Sequence, residues 1–459
     1  MLVIISDLHL TDGSSGTTIS QGAFDIFRQR IREIAYRASF RKGPNGEQYY
    51  EPVESVEVVL LGDVLDLIRS QSWTDARDAV RPWEDPQDPG VIEMVEKITR
   101  DIFSQNAEAC QRLKNLTKQR SGPEAAIALP EARLGKPRST SFESEGDQVI
   151  PMNLYYMVGN HDWQYHLHGA GYDQIRANIV ETLGLSNDPG KPFPHRIEEF
   201  AELERVCREH RVYARHGDIY DPFNYNEAWG RDASSIGDAI VIELLNRFPQ
   251  EVERLMGGDL SPELIQGLKE IDNVRPLLFI PIWIDGLLKR HCKSGTLRER
   301  VKNIWNDLAR AFIDLPFIRH QDTIHPVDRV DMLELALLIT RKTSFATLSR
   351  AISWFGKDRV MGETYYKQAL LEEAYLQQQA RFIVYGHTHH QEVVPLDTRG
   401  MEDQIYLNSG TWRQVYELAR SNVRDYKFLG YQVMTYLIFY KDGERNGRKF
   451  EVWNGSLGD

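Results

Sequence analysis

Five short blocks rich in acidic and imidazole side chains stand at or near the C-terminal ends of apolar, strand-like runs, and this limits the chain to few architectures. Leu2–Ile5 leads into Ser6-Asp7-Leu8-His9, and Val56–Leu61 into Gly62-Asp63-Val64-Leu65-Asp66. Residues 153–158 lead into Gly159-Asn160-His161-Asp162, Val212–Ala214 into His216-Gly217-Asp218, and 381–385 into Gly386-His387-Thr388-His389. Polar side chains just past strand ends are what an open α/β sheet gathers into one crevice. Between these runs, 23–38, 93–116 and 363–379 carry apolar residues at helical spacing. A hairpin is expected at the end, with 431–440 and 449–453 flanking the turn pairs Asp442-Gly443 and Asn446-Gly447. The fold class is therefore α/β.

Two stretches depart from that alternation. Residues 121–146, rich in Pro, Gly, Ser and Glu, read as a surface loop. Residues 220–344, between His216 and His387, read as helical at 235–247, 262–271, 296–313 and 328–339. The expected organisation is a core of 1–219 and 345–459 with 220–344 inserted as a helical cap. Within the insertion, apolar 277–284 is followed by Lys289, Arg290 and Lys293. A packed segment with a solvated basic end is the commoner arrangement. Its alternative is peripheral contact with a membrane interface or with acyl chains.

The chemistry lies in Asp7, His9, Asp63, Asn160, His216, His387 and His389. Carboxylate, imidazole and amide are ligand types that hold adjacent divalent metals. A lone Asp or Asn after a strand is usually a turn residue. Five blocks in one order, each after a strand and closed by Gly-His-x-His, carry much more weight. The other histidines (His166, His168, His195, His210, His291, His320, His325 and His390) read as surface or satisfied structural groups.

The order and spacing of these blocks resemble the calcineurin-like metallophosphoesterase superfamily. That resemblance implies a four-layer α-β-β-α sandwich, with Asp63 bridging two ions. Asp7, His9 and His389 would hold the first ion, and Asn160, His216 and His387 the second. His161 would face the substrate as a catalytic residue, donating a proton to the leaving oxygen or stabilising charge in the transition state, with Asp66 hydrogen-bonded to it and keeping it cationic. The nucleophile it implies is a hydroxide bridging two divalent cations, Mn²⁺ first, with Fe, Zn, Ni or Mg as alternatives.

Ile5 to Leu10, His216-Gly217-Asp218 and Asn408-Ser409-Gly410-Thr411-Trp412 are similar to the UDP-2,3-diacylglucosamine pyrophosphatase branch. That branch is shorter and often carries Arg where this chain has His161. The expectation is a hydrolase of phosphodiester or pyrophosphate bonds in a nucleotide- or lipid-linked small molecule. A metal-dependent nuclease and a non-catalytic scaffold that binds protein through the insertion are the alternatives.

Composition weighs among these. A net charge of −12 argues against broad binding to nucleic acid or anionic lipid. Cys110, Cys207 and Cys292 form no Cys-x-x-Cys pair, which points to a reducing compartment rather than a disulfide scaffold or thiolate metal site. No apolar run reaches membrane-spanning length, and Met1 is followed at once by strand-like residues, with no export leader expected. The expected location is cytoplasmic, with the inner-membrane periphery as the extension the branch implies.

Overall fold

The computed structural model describes residues 1–75, 80–117, 127–138, 148–275, 279–321, 365–398, 403–419 and 427–457. Continuous apolar runs become buried strands: β1 (Leu2–Ile5), β2 (Val56–Leu61), β3 (Met152–Met157), β4 (Val212–Ala214) and β6 (Phe382–Tyr385). β5 (Val274–Arg275) lies between β4 and β6 in the chain. After β6 come β7 (Gln391–Asp397), β8 (Gln404–Ser409), β9 (Trp412–Leu418), β10 (Phe428–Phe439) and β11 (Phe450–Leu457).

Two main sheets result. The larger runs β5-β9-β10-β1-β2-β3, with β11 paired to β10; the smaller runs β4-β6-β8-β7. β1, β2 and β3 are parallel, as are β4, β6 and β8. The expected C-terminal hairpin forms, because β10 and β11 pair antiparallel.

Side-chain alternation divides the core. Val3, Ile5, Val58, Leu60, Leu154 and Tyr156 join one buried cluster with residues of α1 (Gly22–Ala38), α2 (Pro89–Gln105), α3 (Ala107–Thr117) and α4 (Ala170–Leu183). Leu2, Ile4, Val59, Leu61, Tyr155 and Met157 point the other way. They form a second cluster with Val212, Ala214, Phe382, Val384 and Tyr406 of the smaller sheet, and with Leu203 and Val206 of α5 (Ala201–Glu209). The fold is mixed α/β, with an apolar layer shared by its two main sheets.

Several expected elements differ in form. The helix expected over 93–116 breaks at Asn106, which leaves helical geometry so that its amide donates to the Thr11 and Ile102 carbonyls at 2.7 and 2.8 Å. The helix expected over 363–379 appears as two short helices, Tyr365–Ala369 and Glu373–Leu376. Glu372 between them is extended, and its buried carboxylate accepts from the Tyr220 and Tyr385 hydroxyls at 2.6 and 2.7 Å. The loop expected over 121–146 holds short ladders in its described part, Ala128–Leu129 with Gln148–Val149 and Ala132–Arg133 with Lys136–Pro137. Buried Ile127 and Leu129 anchor it.

In the insertion, Ile236–Ile240 (α6) passes through a widened π turn, Val241–Asn246, into Arg247–Met256 (α7). Helices α8 (Pro262–Lys269), α9 (Ile280–His291) and α10 (Gly295–Ile313) follow. The helix expected over 328–339 lies outside the described residues, as do 276–278 and His325. The described insertion shares the helix-side core cluster, and it contributes β5 to the larger sheet beside β9, which the helical reading did not anticipate. Ile280, Ile282, Trp283 and Ile284 are buried, with Trp283 packed on Tyr416 and Phe428, so the described part of this apolar stretch is packed. No described helix is long and apolar enough to cross a membrane.

Candidate metal centre

The loops leaving β1 and β2 prolong the parallel pairing of their strands. Amides of Asp7, His9 and Leu10 donate to the carbonyls of Gly62, Asp63 and Val64 at 3.1, 2.9 and 2.9 Å. Sharp turns then aim the side chains inward. Asp7, His9, Asp63, His387 and His389 all have positive φ, between 46° and 66°. That left-handed region costs a non-glycine residue on the order of 1 kcal/mol or more, and the surrounding bonds hold it. Glycines give the loops room to converge. Gly62 has φ +82°, and a Cβ there would sit 2.5 Å from His216 Nδ1; one on Gly159 would sit 2.3 Å from Asp63 Oδ1.

All seven expected ligand residues come together. Asp7, His9, Asp63 and His389 form one group of converging donor atoms, and Asp63, His216 and His387 another, so Asp63 belongs to both. Its Oδ2 lies 3.7 Å from His9 Nε2 and 3.2 Å from His216 Nε2. His389 Nε2 lies 3.0 Å from His9 Nε2 and 3.1 Å from Asp7 Oδ1. Asn160 Oδ1 faces His387 Nδ1 at 3.0 Å.

The donor set fits divalent metal. Asp7 Oδ1 and His216 Nε2 are buried and make no hydrogen bond. His216 Nδ1 faces the Leu61 carbonyl at 2.9 Å, which aims Nε2 at Asp63 Oδ2 3.2 Å away. Donor atoms crowded together in a buried site are costly unless a proton or a metal cation joins them. The fields agree: burial alone would raise Asp7, but His216 and His389 hold it well below its ordinary range. Burial likewise opposes charge on His216, yet Asp63 and Asp7 push it up to about 10. An environment so favourable to a proton on that imidazole equally favours a metal ion there.

The groups behind the histidines differ. His9 Nδ1 meets Asp66 Oδ2 at 2.7 Å, and His387 Nε2 meets Asp221 Oδ2 at 3.1 Å, both acceptors of the kind that stands behind a metal-binding imidazole. His389 Nδ1 instead faces two donors, Arg275 Nη2 at 2.7 Å and Arg413 Nη1 at 3.3 Å. Arg413 is fixed by Asp272 at 2.8 Å and by Asn273 at 2.6 Å. Burial and Arg275 lower the His389 pKa, keeping that ring neutral.

Asp66 holds His161 as expected, through Oδ1 at 2.7 Å to Nδ1. Its second oxygen on His9 was not foreseen. Burial disfavours the His161 cation, but Asp66 and Asp63 outweigh it and raise the pKa to about 9. With Nδ1 tied to Asp66, Nε2 is the ring nitrogen that remains for other chemistry.

Sequence reading missed Asp221, Arg275 and Arg413. Asp221 lies three residues after the His216-Gly217-Asp218 block and Arg413 directly after Asn408–Trp412, so proximity to the blocks was the available signal. Arg275 had none. No family model matches the chain, and no curated protein matches it.

Proposed function

We propose that this chain is a dinuclear metal-dependent hydrolase of phosphodiester or pyrophosphate bonds, of the calcineurin-like metallophosphoesterase kind. The observation that carries the reading is the sharing of Asp63 between two groups of converging ligand atoms, with Asp7 Oδ1 and His216 Nε2 buried and unpartnered. Two facing sheets with helices outside are compatible with the four-layer sandwich of that superfamily.

Asp7, His9, Asp63 and His389 would hold one ion, and Asp63, Asn160, His216 and His387 the other, Mn²⁺ being our choice for both. When bound, two such ions supply an activated water and neutralise charge on the phosphoryl oxygens. His161, raised in pKa and oriented by Asp66, presents Nε2 to donate a proton to the departing oxygen. Asp221 and Asp66 keep His387 and His9 turned inward. Arg275 and Arg413 place positive charge beside the site, suited to an anionic phosphoester. The substrate class we favour is a nucleotide- or lipid-linked small molecule.

Protein loaded with Mn²⁺ should hydrolyse bis-p-nitrophenyl phosphate or a UDP-sugar pyrophosphate in preference to p-nitrophenyl phosphate and single-stranded DNA. Cleavage of DNA alone would move the assignment to a nuclease. No turnover with any divalent metal would remove the hydrolase reading.

A further inference from the structure

Outside this centre, His166, His195 and Glu199 bring one ligand atom each to within 4.8 Å of one another. They come from two short pieces: the end of the 3-10 turn Trp163–His166, and the stretch from His195 through the turn Ile197–Glu199. His166 Nδ1 donates to the Phe193 carbonyl at 2.8 Å, which directs the Nε2 lone pair toward the cluster. The two imidazoles stand edge to face, 4.8 Å between centroids. His195 Nδ1 is buried and makes no hydrogen bond, although Glu199 Oε1 is only 3.1 Å away. Glu199 Oε2 accepts the His195 and Arg196 amides at 2.9 and 3.4 Å, leaving Oε1 to face the imidazoles. Arg196 Nε, on a half-exposed side chain, also reaches Oε1 at 3.2 Å and can swing into solvent. A fourth group, Asp232, puts Oδ1 3.8 Å from His166 Nε2.

We propose that His166, His195, Glu199 and Asp232 form a second, structural metal site that takes zinc. Two imidazoles and two carboxylates give a closed set of four, the usual number for structural Zn²⁺, and their two negative charges balance the ion. Asp232 belongs to the insertion, the other three residues to the core. Its neighbour Arg231 pairs with Asp218 at 2.6 Å and donates to the Gly159 carbonyl at 3.1 Å. Zinc here would fasten the first part of the insertion to the loop that carries Asn160.

The test is zinc content and thermal midpoint of the full chain, each read without reference to catalysis. In an Asp63→Asn background, which weakens the dinuclear centre, metal-free protein given zinc and then desalted should keep a tightly held ion. Its thermal midpoint should rise with zinc. Adding His195→Ala should abolish both retention and the rise. Should that variant fail to fold, Asp232→Asn on an exposed side chain decides, and a loss of zinc affinity of about tenfold or more is expected. Co²⁺ substitution should give the strong visible bands of tetrahedral coordination, lost in either variant. Equal zinc retention with and without His195, or unchanged affinity in Asp232→Asn, would overturn the site.

Discussion

The guanidinium of Arg275 donates to Nδ1 of His389 across 2.7 Å, so the insertion reaches from behind a histidine whose Nε2 faces Asp7. A ring that accepts at Nδ1 carries its proton on Nε2, the atom that would take metal. Metal loading at His389 therefore requires that proton to move to Nδ1 and both Arg275 and the more distant Arg413 to turn from it. Arg275→Gln should bind the first metal more tightly, by about tenfold if one charge-assisted bond is released. A chelator-competition isotherm checks this; equal or weaker binding would contradict the competition.

Asp63 should be the most sensitive position in the centre. Asp63→Ala is expected to lose both ions by elemental analysis and to lower turnover by about 10³-fold or more. Gly159→Ala probes the same point from outside, since its Cβ would press within 2.3 Å of Asp63 Oδ1. It should reproduce the metal loss while circular dichroism stays native-like. Full metal content in Gly159→Ala would show that the close approach is not needed.

His161 and Asp66 should separate catalysis from metal binding. His161→Ala is expected to cost about 10²- to 10⁴-fold in turnover while keeping both ions. Asp66→Ala should lose turnover and also weaken metal binding by about 10- to 100-fold, because it holds His9 as well as His161. Identical metal contents in the two variants would mean that Asp66 does not orient His9.

His210 should set part of the acid sensitivity of the fold. Burial, reinforced by the Met1 ammonium, lowers its pKa to about 3, and its Nδ1 donates to the Val206 carbonyl at 2.8 Å. The folded pKa lies below the unfolded one, so the unfolded chain takes the proton first. This group leaves stability unchanged above about pH 6.5 and lowers it progressively as pH falls toward 3. Between pH 7 and 5 the loss amounts to about 2 kcal/mol. Urea unfolding of His210→Asn at both values should show a smaller pH difference than the parent, by roughly that amount. An unchanged difference would place the acid sensitivity elsewhere.

Local pattern made much of this protein legible. Apolar runs of four to six residues read directly as β1, β2 and β6. Where a polar residue turns inward to meet a distant partner, periodicity fails. Asn106 breaks a helix to bond Thr11, and Glu372 interrupts another to receive Tyr220 and Tyr385. Neither partner is visible from the local period.

The sequence by itself determined which side chains could serve as ligands, their order, and their place just past strand ends, because alternation and apolar runs are local properties. Only the tertiary structure decided that Asp63 is common to two groups, that Asp66 holds two histidines, and that His389 is backed by Arg275 and Arg413. The physical reason is distance along the chain. Arg275 and His389 are 114 residues apart, and their meeting depends on β5 pairing with β9. The left-handed backbone at Asp7, His9, Asp63, His387 and His389 is likewise held by bonds between segments rather than by residue preference.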